Sequence, residues 1–207
     1  MVNIALTKGR LEDNTVKLLA RAGVDTTPLL NKGRKLVVNL GSKYNVVFAK
    51  AGDVVTYVEY GVTDVGVVGK DTLMEMGRPI YEIMDLKFGK CKFVVAAPRG
   101  VDIFNCERTT TIATKYPDVA RTYFESLNMD VGIVKIEGSV ELAPILRLAD
   151  AIVDIVETGK TLKENGLEVV ANIAPISARL VVNPAALKLK KREIEDLCDI
   201  LSGADKA

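Results

Sequence analysis

Residues 151–162 read Ala151-Ile152-Val153-Asp154-Ile155-Val156-Glu157-Thr158-Gly159-Lys160-Thr161-Leu162, an apolar β-branched run that ends in acids and passes through Thr-Gly into a helical pattern. A strand that turns directly into a helix is the unit of α/β architecture. Such a turn leaves backbone N–H groups unpaired at the helix start, where the dipole also favours negative charge. Thr158, Gly159 and Thr161 add hydroxyls and close backbone approach, so an anion, with phosphate the natural occupant, fits here. A threonine-capped helix with exposed acids would read the same way from this segment alone. The Gly159-Lys160-Thr161 triplet does not make a P-loop, because that motif needs glycine five residues before Gly159 and the residue there is Asp154.

Outward from this stretch the same alternation recurs. β-Branched runs at Val2–Thr7, Lys35–Leu40, Tyr44–Lys50 and Asp64–Val68 alternate with helical patterns at Leu11–Gly23, Asp53–Tyr60 and Asp71–Met76. A second set follows: Lys92–Ala97, Thr110–Thr114, a helix opened by Pro117 and carrying Val119, Tyr123 and Phe124, the strand Val131–Ile136, and a helix from Ser139 as N-cap. The final helix places Ile194, Leu197, Cys198 and Leu201 on one stripe, with Lys190, Lys191, Arg192, Glu193 and Glu195 on a solvated face. Two β-rich stretches, Lys87–Ala97 and Leu167–Val182, are long enough to cross between lobes. The expected organisation is therefore residues 1–91 plus 180–207 as lobe one and 92–179 as lobe two.

Composition narrows the chemistry. The 207 residues are 48% hydrophobic and 27% charged, with a formal net charge of +1, so no broad field attracts nucleic acid or anionic lipid. The absence of histidine removes Ser-His-Asp triads, imidazole acid–base catalysis and histidine metal sites. Cys91, Cys106 and Cys198 are odd in number and far apart, which suggests neither a disulfide framework nor a zinc site, and a reducing cytoplasm is the simplest setting. The N-terminus does not read as a secretory signal, and no apolar run approaches a membrane span.

An acidic strand end followed by Thr-Gly-x-Thr resembles the ribose-5-phosphate loop of phosphoribosyltransferases. With Glu137–Pro144 (EGSVELAP) and Leu148–Val170 (LADAIVDIVETGKTLKENGLEVV), the region resembles the signature of the ATP phosphoribosyltransferase family, the first enzymes of histidine biosynthesis. The likeness extends to Thr7–Leu11 (TKGRL), Asp53–Leu73 (DVVTYVEYGVTDVGVVGKDTL), Ile112–Pro117 (IATKYP) and Ile176–Pro184 (ISARLVVNP). This resemblance implies an α/β fold with two lobes, similar to type II periplasmic binding proteins, with the active site in the cleft between lobes. It also implies the short catalytic form, working as a homodimer with a regulatory subunit similar to histidyl-tRNA synthetase.

The implied reaction joins ATP to 5-phosphoribosyl 1-pyrophosphate, with Mg²⁺ carried by the substrate. On this reading Thr158, Gly159, Lys160, Thr161 and Leu162 take the 5-phosphate, and Asp154, Glu157 and Glu141 face the ribose. Lys8, Gly9 and Arg10, with Lys50 and Arg34, take pyrophosphate or triphosphate; Lys8, Arg10, Lys50 and Asp154 are the expected catalytic groups. Gly66, Gly69 and Asp71 form an expected strand-to-helix turn near ligand, and Thr114 and Lys115 are further contacts. The sequence departs from the family at Lys50, Val55 and Thr111, where arginine, proline and arginine are frequent, and at Leu146-Arg147, where the family usually reads Ala-Gly. A ligand-binding protein without catalysis is the alternative that the same fold allows.

Overall fold

The computed structural model describes residues 1–105 and 108–203. Cys106, one of the three cysteines weighed above, lies outside the described residues. The chain divides into two compact units, Met1–Gly89 with Ser177–Ala207, and Lys90–Ile176. In chain order the first unit opens with β1 (Val2–Thr7), α1 (Arg10–Arg21), α2 (Thr27–Leu30), β2 (Val37–Leu40), β3 (Tyr44–Ala49), α3 (Ala51–Glu59), β4 (Val65–Gly69), α4 (Lys70–Met76) and β5 (Tyr81–Asp85). The second unit holds β6 (Cys91–Pro98), β7 (Thr110–Thr114), α5 (Pro117–Ser126), β8 (Val131–Lys135), α6 (Leu142–Ile145), β9 (Ala151–Val156), α7 (Lys160–Glu164) and β10 (Leu167–Ile176). The chain then returns to the first unit through β11 (Ala178–Val182), α8 (Pro184–Leu189) and α9 (Lys191–Leu201).

In the first unit the strand order is β2-β3-β1-β4-β11-β5. β1, β3 and β4 are mutually parallel, so their carboxyl ends share one edge. Alternation along β1 explains the layers: Ile4 and Leu6 face a core completed by Val16 and Leu19 of α1 and Ile194, Leu197 and Leu201 of α9. Ala5 faces the opposite core, built with Val54, Val55 and Val58 of α3 and Val181. Helices on both faces of a Val-rich mixed sheet, parallel through β3, β1 and β4 and antiparallel beyond them, are what such a pattern must build, because neither face can be left to water. Val55, where the family often has proline, is fully buried.

The second unit has strand order β10-β6-β9-β7-β8, with β7 parallel to β8 and β9, and β6 antiparallel to β9. Val94, Ala96, Ala113, Ile152, Val156 and Leu162 pack into its core. Among the described residues no helix is long and apolar enough to cross a membrane.

Several sequence expectations need correction. The Leu167–Val182 run does cross between the units, but as two strands that meet at Ser177 and join different sheets rather than as one. Arg179 pairs with Val68 and Asp85 inside the first unit, so the crossing falls before it rather than after it. The Lys87–Ala97 run starts as a turn: the Asp85 carboxylate accepts from the Lys87 N–H at 2.8 Å, and Lys87 has φ 63. Ser139 does not cap α6, since the cap position is Glu141 and Ser139 only accepts the Leu142 N–H through its carbonyl. Lys190 is only partly exposed and is tied down: its Nζ donates to both Asp64 oxygens, at 2.9 and 2.7 Å, and to the Met1 carbonyl at 3.2 Å. Hydrogen-bonded chemistry of this kind leaves no trace in apolar periodicity.

Candidate active site

In the second unit the carboxyl ends of β7, β8 and β9 share one edge. Leaving β9, the chain turns through Glu157 and Thr158 to Gly159, which has φ 76 at the cap position of α7. That left-handed conformation is the reason for glycine there, since an L side chain adopts it at a cost. The Thr158 hydroxyl accepts from the Lys160 N–H at 3.4 Å, and the first-turn amides of Thr161 and Leu162 have no intrahelical acceptor by construction. Thr158, Lys160 and Thr161 are exposed, whereas the Leu162 side chain is buried against Val156 and Ile152. Leu162 thus anchors the cradle through its side chain and can serve an anion only through its backbone. Lys160 also lies 3.8 Å from Glu164, one helical turn on.

Asp154 shares a strand face with Ile152 and Val156 and is half-buried. Burial pushes its carboxyl above the usual range, the Ile155 N–H hydrogen bond opposes this, Glu141 adds to it, and Lys115 draws it back down. Asp154 therefore lies within electrostatic reach of both Glu141 and Lys115. Thr114 belongs to the scaffold: its buried hydroxyl donates to the Val153 carbonyl at 2.7 Å and accepts the Tyr116 N–H at 2.9 Å, so both functions are occupied. Thr111 is tied to Asp150, which accepts its N–H at 2.8 Å and holds Arg108 on both oxygens.

In the first unit the expected cations collect at the carboxyl edge of the parallel strands. Thr7 is opposite Ala49, and the Lys8 N–H donates to the Ala49 carbonyl at 3.0 Å, which places Lys8-Gly9-Arg10 beside Lys50. Gly9 caps α1 with φ 93, a position suited to glycine. Arg34 stands in the turn before β2, and the Leu36 carbonyl accepts the Phe48 N–H at 2.9 Å, so this turn reaches the same edge. Gly69 and Asp71 also lie there; a Cβ on Gly69 would come within 2.0 Å of the Asp71 carboxylate. Gly66 does not belong with them. It sits within β4, and a Cβ there would meet Val54 at 2.7 Å and Val58 at 2.8 Å, so the close approach is that of α3 rather than of a ligand.

Sequence reading did not single out the polar network at this edge. Arg179 pairs with Glu82 at 2.9 Å and Asp85 at 3.6 Å, Lys70 pairs with Glu82 at 2.5 Å, and the Ser177 hydroxyl donates to Asp85 at 2.8 Å. Burial works against the Asp85 charge, but hydrogen bonds from Lys87 and Ser177 and the Arg179 charge prevail and hold its pKa at about 2. Only the pairing of β5 with β11 brings these residues together, and the lone Ser177 between two apolar runs was the available signal.

Fold and site together define a two-unit, doubly wound α/β protein whose candidate anion-binding turns lie at the carboxyl ends of parallel strands, where such folds bind ligands. The family model for ATP phosphoribosyltransferase matches residues 50–203. An ATP phosphoribosyltransferase of Clostridium kluyveri is 58% identical over 197 residues, spanning 95% of this chain and 90% of that protein. One from Clostridium novyi is 57% identical over 201 residues, spanning 96% and 95%. The chain belongs to the ATP phosphoribosyltransferase family and is a transferase. Among solved structures, the ATP phosphoribosyl transferase (HisG:HisZ) complex from Thermotoga maritima matches with TM-score 0.84 and 35% identity over 97% of this chain and 96% of that one. The periplasmic aliphatic sulphonate binding protein of Escherichia coli matches with TM-score 0.61 and 14% identity over 99% and 72%, a likeness of fold alone.

Proposed function

We propose that this chain catalyses the first step of L-histidine biosynthesis, transferring the 5-phosphoribosyl group of 5-phosphoribosyl 1-pyrophosphate to N1 of ATP. The observation that carries this reading is the Asp154–Leu162 strand-to-helix turn lying inside the span that matches the family. In the reaction the adenine N1 lone pair forms a bond to ribose C1. The C1–O bond breaks, and its electron pair leaves with pyrophosphate. No strong general base is needed at the nucleophile, which suits a chain without histidine. Alignment and charge stabilisation carry the rate.

The first-turn amides and hydroxyls of Thr158–Leu162 take the 5-phosphate, while Asp154, with Glu157 and Glu141, holds the ribose hydroxyls and faces the positive character that develops at C1. Lys8, Arg10 and Lys50, with Arg34, neutralise the polyphosphate charge, and Lys115, Gly69 and Asp71 are supporting contacts. Among the described residues no group of three or more His, Cys, Asp or Glu is placed to hold a metal ion. Mg²⁺ fits as part of the substrate, on the pyrophosphate oxygens. The chain acts in the cytoplasm, as homodimers joined to a regulatory subunit resembling histidyl-tRNA synthetase; the Thermotoga HisG:HisZ complex supports the pairing with a second kind of subunit.

Pyrophosphate release is the test. It should require both ATP and the phosphoribosyl substrate. Binding of both without release would leave a binding protein, and release without ATP would mark a different transfer.

A further inference from the structure

Lys32 has its Nζ 3.9 Å from the centre of the Phe48 ring and ion-paired to the Glu12 carboxylate. Both partners are largely covered, with 22% of the lysine and 13% of the glutamate side chain exposed. Fixing two long side chains in this way sacrifices rotamer freedom that an ordinary surface pair retains. The attachment points are informative. Glu12 is on the first turn of α1, two residues after Arg10. Phe48 is two residues before Lys50. Lys32 opens the turn closed by the Lys35 N–H on the Lys32 carbonyl at 3.0 Å, and Arg34 is the third residue of that turn. One ammonium therefore touches two of the cation-bearing segments and belongs to the third.

We propose that Lys32 and Glu12 form a positioning pair that holds Lys8, Arg10, Arg34 and Lys50 in register for a polyphosphate chain. The inference rests on the reading of those four residues as anion contacts. Lys8, Arg34 and Lys50 are exposed, and none is ion-paired among the described residues. Lys32, by contrast, is neutralised by Glu12 and covered by its neighbours. Its charge is directed at the scaffold and not outward. A cation–π contact adds to the pair because the ring face is negative and this end of β3 is shielded from water.

The experiment uses the full chain with Lys32→Met, which keeps the apolar stem over Phe48 and removes only the charge, alongside Glu12→Gln and the double variant. Inorganic tripolyphosphate binding and the KM for each substrate are measured beside the melting temperature. The expected result is a fivefold or greater loss of tripolyphosphate affinity and a matching rise in the KM for ATP in either single variant. The double variant should be no worse, because the two residues act as one unit. Lys32→Arg should restore most of the affinity. Unchanged affinity and KM in Lys32→Met, with only the melting temperature lowered, would reduce the pair to a structural tie and overturn the proposal. Lys8→Ala and Lys50→Ala separate the two levels of argument. If they leave tripolyphosphate binding intact, the anion reading of this edge fails. If they weaken it and Lys32→Met does not, only the positioning role fails.

Discussion

Arg147→Gly should stabilise the protein, and the size of the effect follows from one backbone angle. Helix α6 ends at Ile145, and Arg147 follows with φ 59. The Arg147 N–H donates to the Pro144 carbonyl at 3.1 Å and the Leu148 N–H to the Ala143 carbonyl at 2.8 Å. These two bonds are the Schellman ending, which prefers glycine at the left-handed position. An L residue there costs about 1–2 kcal/mol. Glycine removes that strain but gives back roughly 0.4–1 kcal/mol in unfolded-chain entropy. The net gain is about 0.5–1 kcal/mol, or roughly 1–4 °C in melting temperature for a chain of this size. The exposed guanidinium offers little to lose, so Arg147→Ala, which keeps the strain, should stay within about 0.5 kcal/mol of the parent. Thermal melts and urea midpoints of the three proteins measure this directly. A glycine variant no more stable than the alanine variant would refute the strain argument.

Gly66→Ala should cost about 1–3 kcal/mol by overpacking Val54 and Val58 while leaving both Michaelis constants alone; an intact melting temperature with impaired turnover would return Gly66 to the ligand site. Thr161→Val keeps the side-chain volume and removes a hydroxyl donor, so it should weaken phosphoribosyl pyrophosphate binding by about 1–3 kcal/mol with ATP affinity kept; unchanged affinity would take Thr161 out of the cradle. Because the folded pKa of Asp154 is raised, its proton persists to higher pH than in the unfolded chain. The KM for the phosphoribosyl substrate should therefore rise on acidification through that raised pKa, and Asp154→Asn should abolish the dependence along with most activity. Asp85 has the opposite sign: its folded pKa of about 2 lies below the ordinary 3.8, so its stabilising contribution is present at neutral pH and lost as pH falls from about 4 towards 2. Urea midpoints across that window should converge for the parent and Asp85→Asn; a constant gap would refute this.

Strand and helix patterns carried most of the architecture because the core elements stand out locally: β4 is a continuously buried Val-Gly-Val-Val-Gly run, and α9 shows its apolar stripe without interruption. Two short pieces were not legible. α2 has four residues, too few for a period, and β5 presents an exposed Tyr81 and Glu82 where a buried strand would show valine. The Asp154–Leu162 turn could be read because its residue types are demanded locally by a helix start. Gly66 and Thr114 carry packing that no local pattern shows: Gly66 is crowded by Val54 and Val58 of α3, and the Thr114 hydroxyl donates to the Val153 carbonyl of the neighbouring strand β9. The glycine that admits a helix and the glycine that admits a phosphate look alike until the neighbours are known.

The place of β11 in its sheet dictates an order of events during folding. It lies between β4 and β5, pairing with both, yet it follows both by the whole length of the second unit. As the chain emerges from the ribosome, the facing edges of β4 and β5 must wait unpaired while residues 90–176 are made. The second unit is continuous in sequence and can close its own sheet in that interval. The first unit then condenses only when Ala178–Val182 inserts between β4 and β5 and α9 covers Ile4 and Leu6. Long-range closure of this kind is slow and leaves apolar edges open to other chains, so truncation just after Ile176 leaves every strand of the second unit in place but joins it to a first unit whose β4 and β5 edges stay open to aggregation.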